Sequence, residues 1–216
     1  MSRNFSRILI SGGTGFVGSW MQKTQPKGLV CHYMGQAEYV KKEWIYDRYD
    51  YFVHLANVDP TEMLKATRWW GARMLYCSSG IVYYPIQSDY KYNKEIWESY
   101  CTDIGADCVI ARLFTFFGKG LDDGKAYTQF MKAAREGRPL EVWGDCTRSY
   151  MHGAELGRQM WDLLLNGKSG EVRDIGSTRP QTVLRMAQRI SAFTGAKIEH
   201  IDKNVAMPYY VPKGKK

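Results

Sequence analysis

The sequence predicts an α/β protein: a doubly wound parallel sheet with helices on both faces, followed by a small C-terminal lobe. Three observations carry that expectation. Over the first half of the chain, apolar runs of strand length alternate with longer segments whose apolar residues recur at helical spacing. The first of these runs leads directly into a glycine-rich turn and then a helix. Past a charged, glycine-rich loop at 118–125 the alternation becomes less regular.

Residues 7–11 (Arg-Ile-Leu-Ile-Ser) read as a short buried parallel strand, because strands covered on both faces are near-continuous apolar runs. Gly12-Gly13-Thr14-Gly15-Phe16-Val17-Gly18 follows at once, and Phe16, Val17, Trp20 and Met21 form a helical apolar stripe. Strand, glycine turn and helix in that order suit a dinucleotide. The glycines let backbone approach a pyrophosphate, which sits on the helix N-terminus. Residues 28–33 are the second strand. Its end reads His32, Tyr33, Met34, Gly35, with no acid for an adenosine ribose and no arginine in its place, so NAD and NADP both stay open. Residues 50–56 form the next strand. Asp59, Pro60 and Glu62 open a helix as cap, first-turn proline and acid, and Gly71 closes it. Residues 73–79 are a strand, Asp89 caps the helix that carries Tyr90, Lys94, Trp97 and Cys101, and 107–113 is a further strand. Residues 127–136 read as a helix stopped by Gly137, 140–143 as a strand, 154–165 as an amphipathic helix and 172–175 as a strand. Thr182 caps a last helix that Gly195 closes.

The 216 residues suffice for one core with a small lobe. A net charge of +8 suits an anionic ligand, and nucleotides and nucleic acids both qualify. Part of that excess lies at Lys213, Lys215 and Lys216. Five cysteines without a Cys-x-x-Cys pair read as buried free thiols in a reducing compartment. No apolar run is long enough to span a bilayer, and residues 1–7 lack the apolar core of a signal peptide, so a cytoplasmic location away from membranes is expected. No metal is expected.

The candidate chemistry lies between Ser79 and Lys94. Ser79 ends a strand, and Tyr90 and Lys94 are four residues apart, which on a helix puts phenol and ammonium on one face. A positive charge there is expected to lower the Tyr90 pKa toward neutrality and fit it for proton exchange with an alcohol. The pair alone is weak, since roughly one such match arises by chance in a chain this rich in Tyr and Lys. Tyr209 and Lys213 supply a second match with nothing around it. His54 and His152 read as structural.

The order of these motifs resembles the extended short-chain dehydrogenase/reductases, the NAD-dependent epimerase/dehydratase family acting on nucleotide sugars. Gly12 to Gly18 resembles the family's cofactor turn, and residues 50–56 its Asp-x-Val-x-His-Leu-Ala strand. Ser78-Ser79-Gly80-Ile81-Val82-Tyr83 is similar to Ser-Ser-x-x-Val-Tyr, and Tyr90, Lys94 and Glu98 to Tyr-x-x-x-Lys-x-x-x-Glu. Residues 111–118 are similar to a stretch with Arg-Leu-x-Asn-x-x-Gly, with Thr115 where Asn is usual. Gly144-Asp145, Arg148 to His152 and Glu155 resemble Gly-Asp-Gly-x-x-Arg-Asp-Phe-x-His-x-x-Asp, and Asp174 to Ser177 resembles Asn-x-Gly-Ser. The chain departs from the family by shortness. Residues 28–50 are too few for the usual strands and helices, a segment is missing between Ala56 and Asp59, the loop before Tyr90 is cut to 84–89, and the chain ends soon after 209–212.

The resemblance implies a Rossmann-type sheet in residues 1–118, with 146–176 returning to it. Residues 119–145 and 177–216 are then a reduced substrate-binding lobe. Carried over position by position, it implies that Gly12, Gly15, Phe16, Val17, Gly18, Leu55 and Ala56 hold NAD or NADP, with NAD favoured. Tyr90 is general base and acid, Lys94 binds the nicotinamide ribose, and Ser79 orients the sugar oxygen. Tyr83, Thr115 and Arg148 join Ser79 in binding a nucleotide sugar. A 4,6-dehydratase would carry an Asp-Glu pair after Ser79, and relatives of fucose synthases a cysteine there; Gly80 and Ile81 stand instead. The expected activity is that of a UDP-sugar 4-epimerase, with a 4-ketoreductase as the alternative. A non-catalytic relative that binds RNA or a nucleotide is the reading from another class. Nucleic acid is not the expected partner, because the Ser79, Tyr90 and Lys94 set would serve no purpose there. Trp69, Trp70, Trp97 and Tyr100 on two helices imply a homodimer.

Overall fold

The computed structural model describes residues 6–103, 105–122, 124–144 and 146–201, together with Pro212. Asp145, Tyr209, Lys213, Lys215 and Lys216 lie outside the described residues. The first part of the chain runs β1 (Ser6–Ser11), α1 (Phe16–Lys23), β2 (Leu29–Met34), α2 (Gln36–Lys41), a 3-10 turn (Glu43–Tyr46), β3 (Tyr51–His54), α3 (Thr61–Trp70), β4 (Arg73–Ser79), a 3-10 turn (Gly80–Tyr83), α4 (Asp89–Asp103) and β5 (Asp107–Leu113). The rest runs β6 (Thr115–Phe117), α5 (Ala126–Arg135), β7 (Leu140–Trp143), β8 (Thr147–Arg148), β9 (Tyr150–His152), α6 (Gly153–Asn166), β10 (Val172–Ile175), β11 (Gln181–Thr182), α7 (Val183–Thr194) and β12 (Ile198–Ile201).

Six strands form one parallel sheet in the order β10-β5-β4-β3-β1-β2. The expected α/β class holds. The strand order reverses between β1 and β3, which opens a crevice at the carboxyl ends of those strands. The short segment 28–50 leaves its mark here: it builds β2, one short helix and a 3-10 turn, so a single strand lies beyond β1.

Both faces are covered, as the continuous apolar strands require. Ile8, Ile10, Leu75, Cys77, Val109 and Ala111 meet Met21 of α1 and Leu156, Met160, Leu163 and Leu164 of α6. The intervening Leu9, Met74, Tyr76, Cys108 and Ile110 meet Met63 and Leu64 of α3 and Cys101 of α4 on the other face. Each such aliphatic side chain taken fully from water contributes about 1.5–3 kcal/mol. The Trp161 indole donates to the Met21 carbonyl at 2.9 Å and ties α6 to α1. A third cluster gathers Phe130 and Ala133 of α5, Leu140 and Val142 of β7, Tyr150 of β9 and Met186, Ala187 and Ile190 of α7. Here β7 pairs with β12, β6 with β9 and β8 with β11.

Two caps differ from expectation. Asp89 is already inside α4, and Ser88 caps it, accepting from the Lys91 N–H at 3.2 Å. Asp59 does accept from the Thr61 N–H at 2.8 Å, but Pro60 occupies the cap position itself. Thr182 caps α7 as read, accepting from the Arg185 N–H at 3.0 Å. All five cysteines are free thiols, and four are buried. Among the described residues, no helix is long and apolar enough to cross a membrane.

Candidate active site

The glycine turn leaves the carboxyl end of β1 at the strand-order reversal. Its glycines do different work. Gly12 has φ +69°, and a Cβ there would lie 2.8 Å from the Ala56 nitrogen, so the turn packs directly on Leu55–Ala56 after β3. A Cβ on Gly13 would lie 2.7 Å from Cβ of Tyr33, and one on Gly18 would lie 2.4 Å from the Gly13 carbonyl oxygen. Gly18 is therefore buried between helix and turn, where its lack of a side chain lets α1 approach the turn. Gly15 is exposed at the N-terminus of α1, and a Cβ there would meet just the Gly12 carbonyl oxygen, at 3.3 Å. Phe16 and Val17 begin α1, whose first N–H groups lack helical partners and can serve an anion.

Ser79 ends β4, and its Oγ accepts from the Ile81 N–H at 3.2 Å. Tyr90 stands in the first turn of α4 with 41% of its surface exposed, close enough to Ser79 for that hydroxyl to influence its phenol. Lys94, one turn on, is 3% exposed. Its ammonium donates to the Cys77 carbonyl at 3.0 Å and lies 5.5 Å from the Tyr90 ring centroid. The structure thus brings Ser79, Tyr90 and Lys94 together, but it corrects the expected electrostatics. Burial pushes the Tyr90 phenol above its ordinary value, with the nearby Ser79 hydroxyl pulling the other way. Burial likewise lowers the Lys94 pKa. The ammonium serves a carbonyl on β4 instead of the phenol.

Tyr83 belongs to a polar network beside this set. Its hydroxyl accepts from Arg112 Nη1 at 2.6 Å and donates to Asp174 Oδ1 at 2.9 Å, and its ring stacks on Phe114. Arg112 also grips Glu98, whose carboxylate accepts the Ser78 hydroxyl. This network escaped the sequence reading; Glu98 and Arg112 stood in recognised motifs, but nothing there pairs them.

Both histidines have structural partners. His152 Nδ1 accepts from the Ala154 N–H at 3.2 Å and caps α6. His54 is fully buried, with Nδ1 3.0 Å from the Ser11 hydroxyl and Nε2 2.9 Å from the Val58 carbonyl. Burial lowers its pKa to about 4. Unfolded histidine titrates near 6.5, so between these values the unfolded chain binds the extra proton. Stability from this group is complete above about pH 6.5 and is lost as pH falls toward 4, by roughly 2 to 4 kcal/mol. Urea unfolding at pH 7.5 and 4.5 should show that loss in the wild type and not in His54→Asn, compared as slopes with pH.

Thr115 and Arg148 meet in the wall of a cavity of about 760 Å³. Lys125, Arg138, Trp143 and Tyr150 also line it. Arg148 Nη1 donates to the Thr147 carbonyl at 2.7 Å, and Thr115 pairs in register with Tyr150. Phe114 lines the same cavity, and its ring packs so closely on Gly80 that a Cβ there would lie 2.9 Å from it. The cavity therefore abuts the turn that follows Ser79. Its cationic and aromatic walls come from segments far apart in the chain, which hides the pattern from sequence reading.

Residues 30–176, more than half of the chain, match the model of the NAD dependent epimerase/dehydratase family. The chain belongs to that family. The family's cofactor is NAD or NADP, as expected, although the match begins past the glycine turn. UDP-glucuronic acid decarboxylase 6 of Arabidopsis thaliana is 24% identical over 260 aligned residues, covering 89% of this chain and 76% of that protein. Among solved structures, dTDP-glucose 4,6-dehydratase from Bacillus anthracis in complex with NAD superposes with a TM-score of 0.77 at 17% identity, over 92% of this chain and 85% of that one. RMD from Pseudomonas aeruginosa complexed with NADPH gives 0.77 at 21%, over 91% and 85%. UDP-glucose 4-epimerase from Thermotoga maritima with UDP-glucose gives 0.76 at 18%, over 91% and 85%. These likenesses show the shared fold. The turn of this family member fits a dinucleotide on its own geometry: Gly15 leaves open space at a helix N-terminus, at the sheet's reversal point. Among the described residues, no group of three or more His, Cys, Asp or Glu side chains is placed to hold a metal.

Proposed function

We propose that this nucleotide-sugar enzyme acts on the C4 hydroxyl of a UDP-sugar and is a 4-epimerase. One observation carries the reading: Ser79, Tyr90 and Lys94 gather at the carboxyl edge of the sheet, beside a turn whose Gly80 is closed off by Phe114. With glycine at position 80, where a Cβ would lie 2.9 Å from the Phe114 ring, the added acid of a dehydratase is lacking there. NAD supplies a hydride acceptor and donor when bound. As its phenolate, Tyr90 takes the proton of the C4 hydroxyl as the alcohol becomes a ketone, and it returns that proton when the opposite face is reduced. Ser79 hydrogen-bonds the same oxygen, and Lys94 holds ribose hydroxyls. The cofactor is NAD or NADP, since His32 to Gly35 offer neither an acid for the ribose nor an arginine for the extra phosphate.

In this reading the lobe of 119–145 and 177–216 receives the nucleotide, with Arg148 on the diphosphate and Thr115 beside it. A planar guanidinium suits this because it donates two parallel hydrogen bonds and stays charged. Arg148→Ala should weaken UDP binding by about 30- to 1,000-fold, the loss of roughly 2 to 4 kcal/mol in charge-assisted bonds. Calorimetry with UDP checks this, and equal affinities would overturn the assignment. Trp69 and Tyr100 are 74% and 54% exposed on α3 and α4, whereas Trp70 and Trp97 pack against the core, so the apolar face is smaller than four aromatics imply. We extend the proposal to a homodimer through that face; light scattering at micromolar concentration should give twice the chain mass.

The deciding experiment incubates the purified protein and NAD with UDP-glucose, UDP-galactose and UDP-glucuronate, and follows the sugars by proton NMR. Interconversion of the first two is expected. Loss of carbon dioxide from UDP-glucuronate is the second reading, favoured by the similarity to the Arabidopsis decarboxylase. A 4-ketoreductase would leave all three unchanged and reduce only a 4-keto sugar.

A further inference from the structure

Tyr90 and Lys94 can face Ser79 only if α4 holds one rotation on the sheet. Glu98 lies on the same helix face, one turn beyond Lys94 and two beyond Tyr90. It is 9% exposed. Its carboxylate accepts the hydroxyl of Ser78 and the fork of Arg112, whose Nη2 lies 2.6 Å away and Nε 3.0 and 3.2 Å away. Ser78 and Arg112 are register partners on β4 and β5, so one carboxylate grips two adjacent strands. Arg112 continues through the Tyr83 hydroxyl to Asp174 on β10.

We infer that Glu98 is a positioning residue: clamped by Ser78 and Arg112, it sets the rotation of α4 and presents to Lys94 the carboxylate that keeps it an ammonium. The inference rests on the roles given to Tyr90 and Lys94 above. A buried ion pair is a poor source of stability, because desolvation offsets the Coulombic gain. A forked, bidentate pair does impose direction. A slip of one turn would move α4 by about 5.4 Å and part Tyr90 from Ser79. The charge argument is separate. Lys94 stands one helical turn from Tyr90 and from Glu98, its ammonium lies beside the Tyr76 ring and the Cys77 carbonyl on β4, and His54 on β3 is near enough to interact with it electrostatically. Burial keeps both phenols and the thiol protonated and His54 neutral. That leaves Glu98 as the anion in this set.

The test is the titration of Lys94 in the cofactor-free protein, followed by NMR of carbon-13-labelled lysine Cε. Glu98→Gln keeps the shape and removes the charge, and should raise the acid dissociation constant of Lys94 at least tenfold. Arg112→Met removes the opposing cation and should lower that constant at least threefold. These opposite shifts are not produced by a merely structural ion pair, which would leave both constants within twofold of wild type and so overturn the inference. If Glu98→Gln does not fold, Arg112→Met decides alone, and an unchanged or increased constant sinks the idea. No turnover is needed, so failure here is distinct from failure of the reaction assigned above.

Discussion

Tyr90→Phe is expected to lower turnover by about 10²- to 10⁴-fold, the usual worth of a positioned acid and base. The phenol is the one group of the Ser79–Tyr90–Lys94 set that combines an acidic proton, partial exposure and a place beside Ser79. Lys94 is nearly sealed and spends its proton on the Cys77 carbonyl, and Ser79 already accepts from Ile81. Removing one oxygen leaves the ring and the α4 packing in place, so dinucleotide affinity should stay within about twofold and the KM should change little. Because burial raises the Tyr90 pKa, activity of the wild type in the direction that needs the phenolate should climb as pH rises above neutrality. Steady-state kinetics across pH for both proteins check the pair of statements. Wild-type turnover in Tyr90→Phe, with loss in Tyr209→Phe, would move the site to the other Tyr-x-x-x-Lys match.

Gly15→Val should abolish measurable dinucleotide binding while the chain stays folded. The backbone at Gly15 is extended, with φ −78° and ψ −179°, which valine adopts readily. A Cβ there meets only the Gly12 carbonyl oxygen, and the branch beyond it projects into the open space at the start of α1. A pyrophosphate seated there would lose two or more charge-assisted hydrogen bonds of about 1.5–3 kcal/mol each, a fall in affinity of roughly 10² to 10⁴. The cost to the fold is a change of helix cap, on the order of 1 kcal/mol. Gly18→Ala is the contrast. Its Cβ would collide with the Gly13 backbone, so it should unfold the chain at lower temperature whether or not a ligand binds. Calorimetric titration with NAD and NADP, alongside thermal melts, separates the two. Unchanged affinity in Gly15→Val would make the turn purely structural.

The sequence by itself determined the alternation of strands and helices, the glycine turn after β1 and the Tyr90–Lys94 spacing. Each of these is a local property: apolar runs need covering on both faces, and four residues make one helical turn. The shortness of 28–50 was equally legible, and it left a single strand beyond β1. Tertiary structure alone decided what the charges do. Whether Lys94 tunes Tyr90 depends on where its ammonium points, and packing of α4 against β4 gives it to Cys77. Gly15 and Gly18 look alike in sequence, but one opens to solvent and the other meets the Gly13 backbone. Glu98 and Arg112 are partners because two strands register Ser78 beside Arg112 under the same helix face. Contacts between side chains distant in sequence leave no periodic trace, since they arise only when burial has brought the elements together.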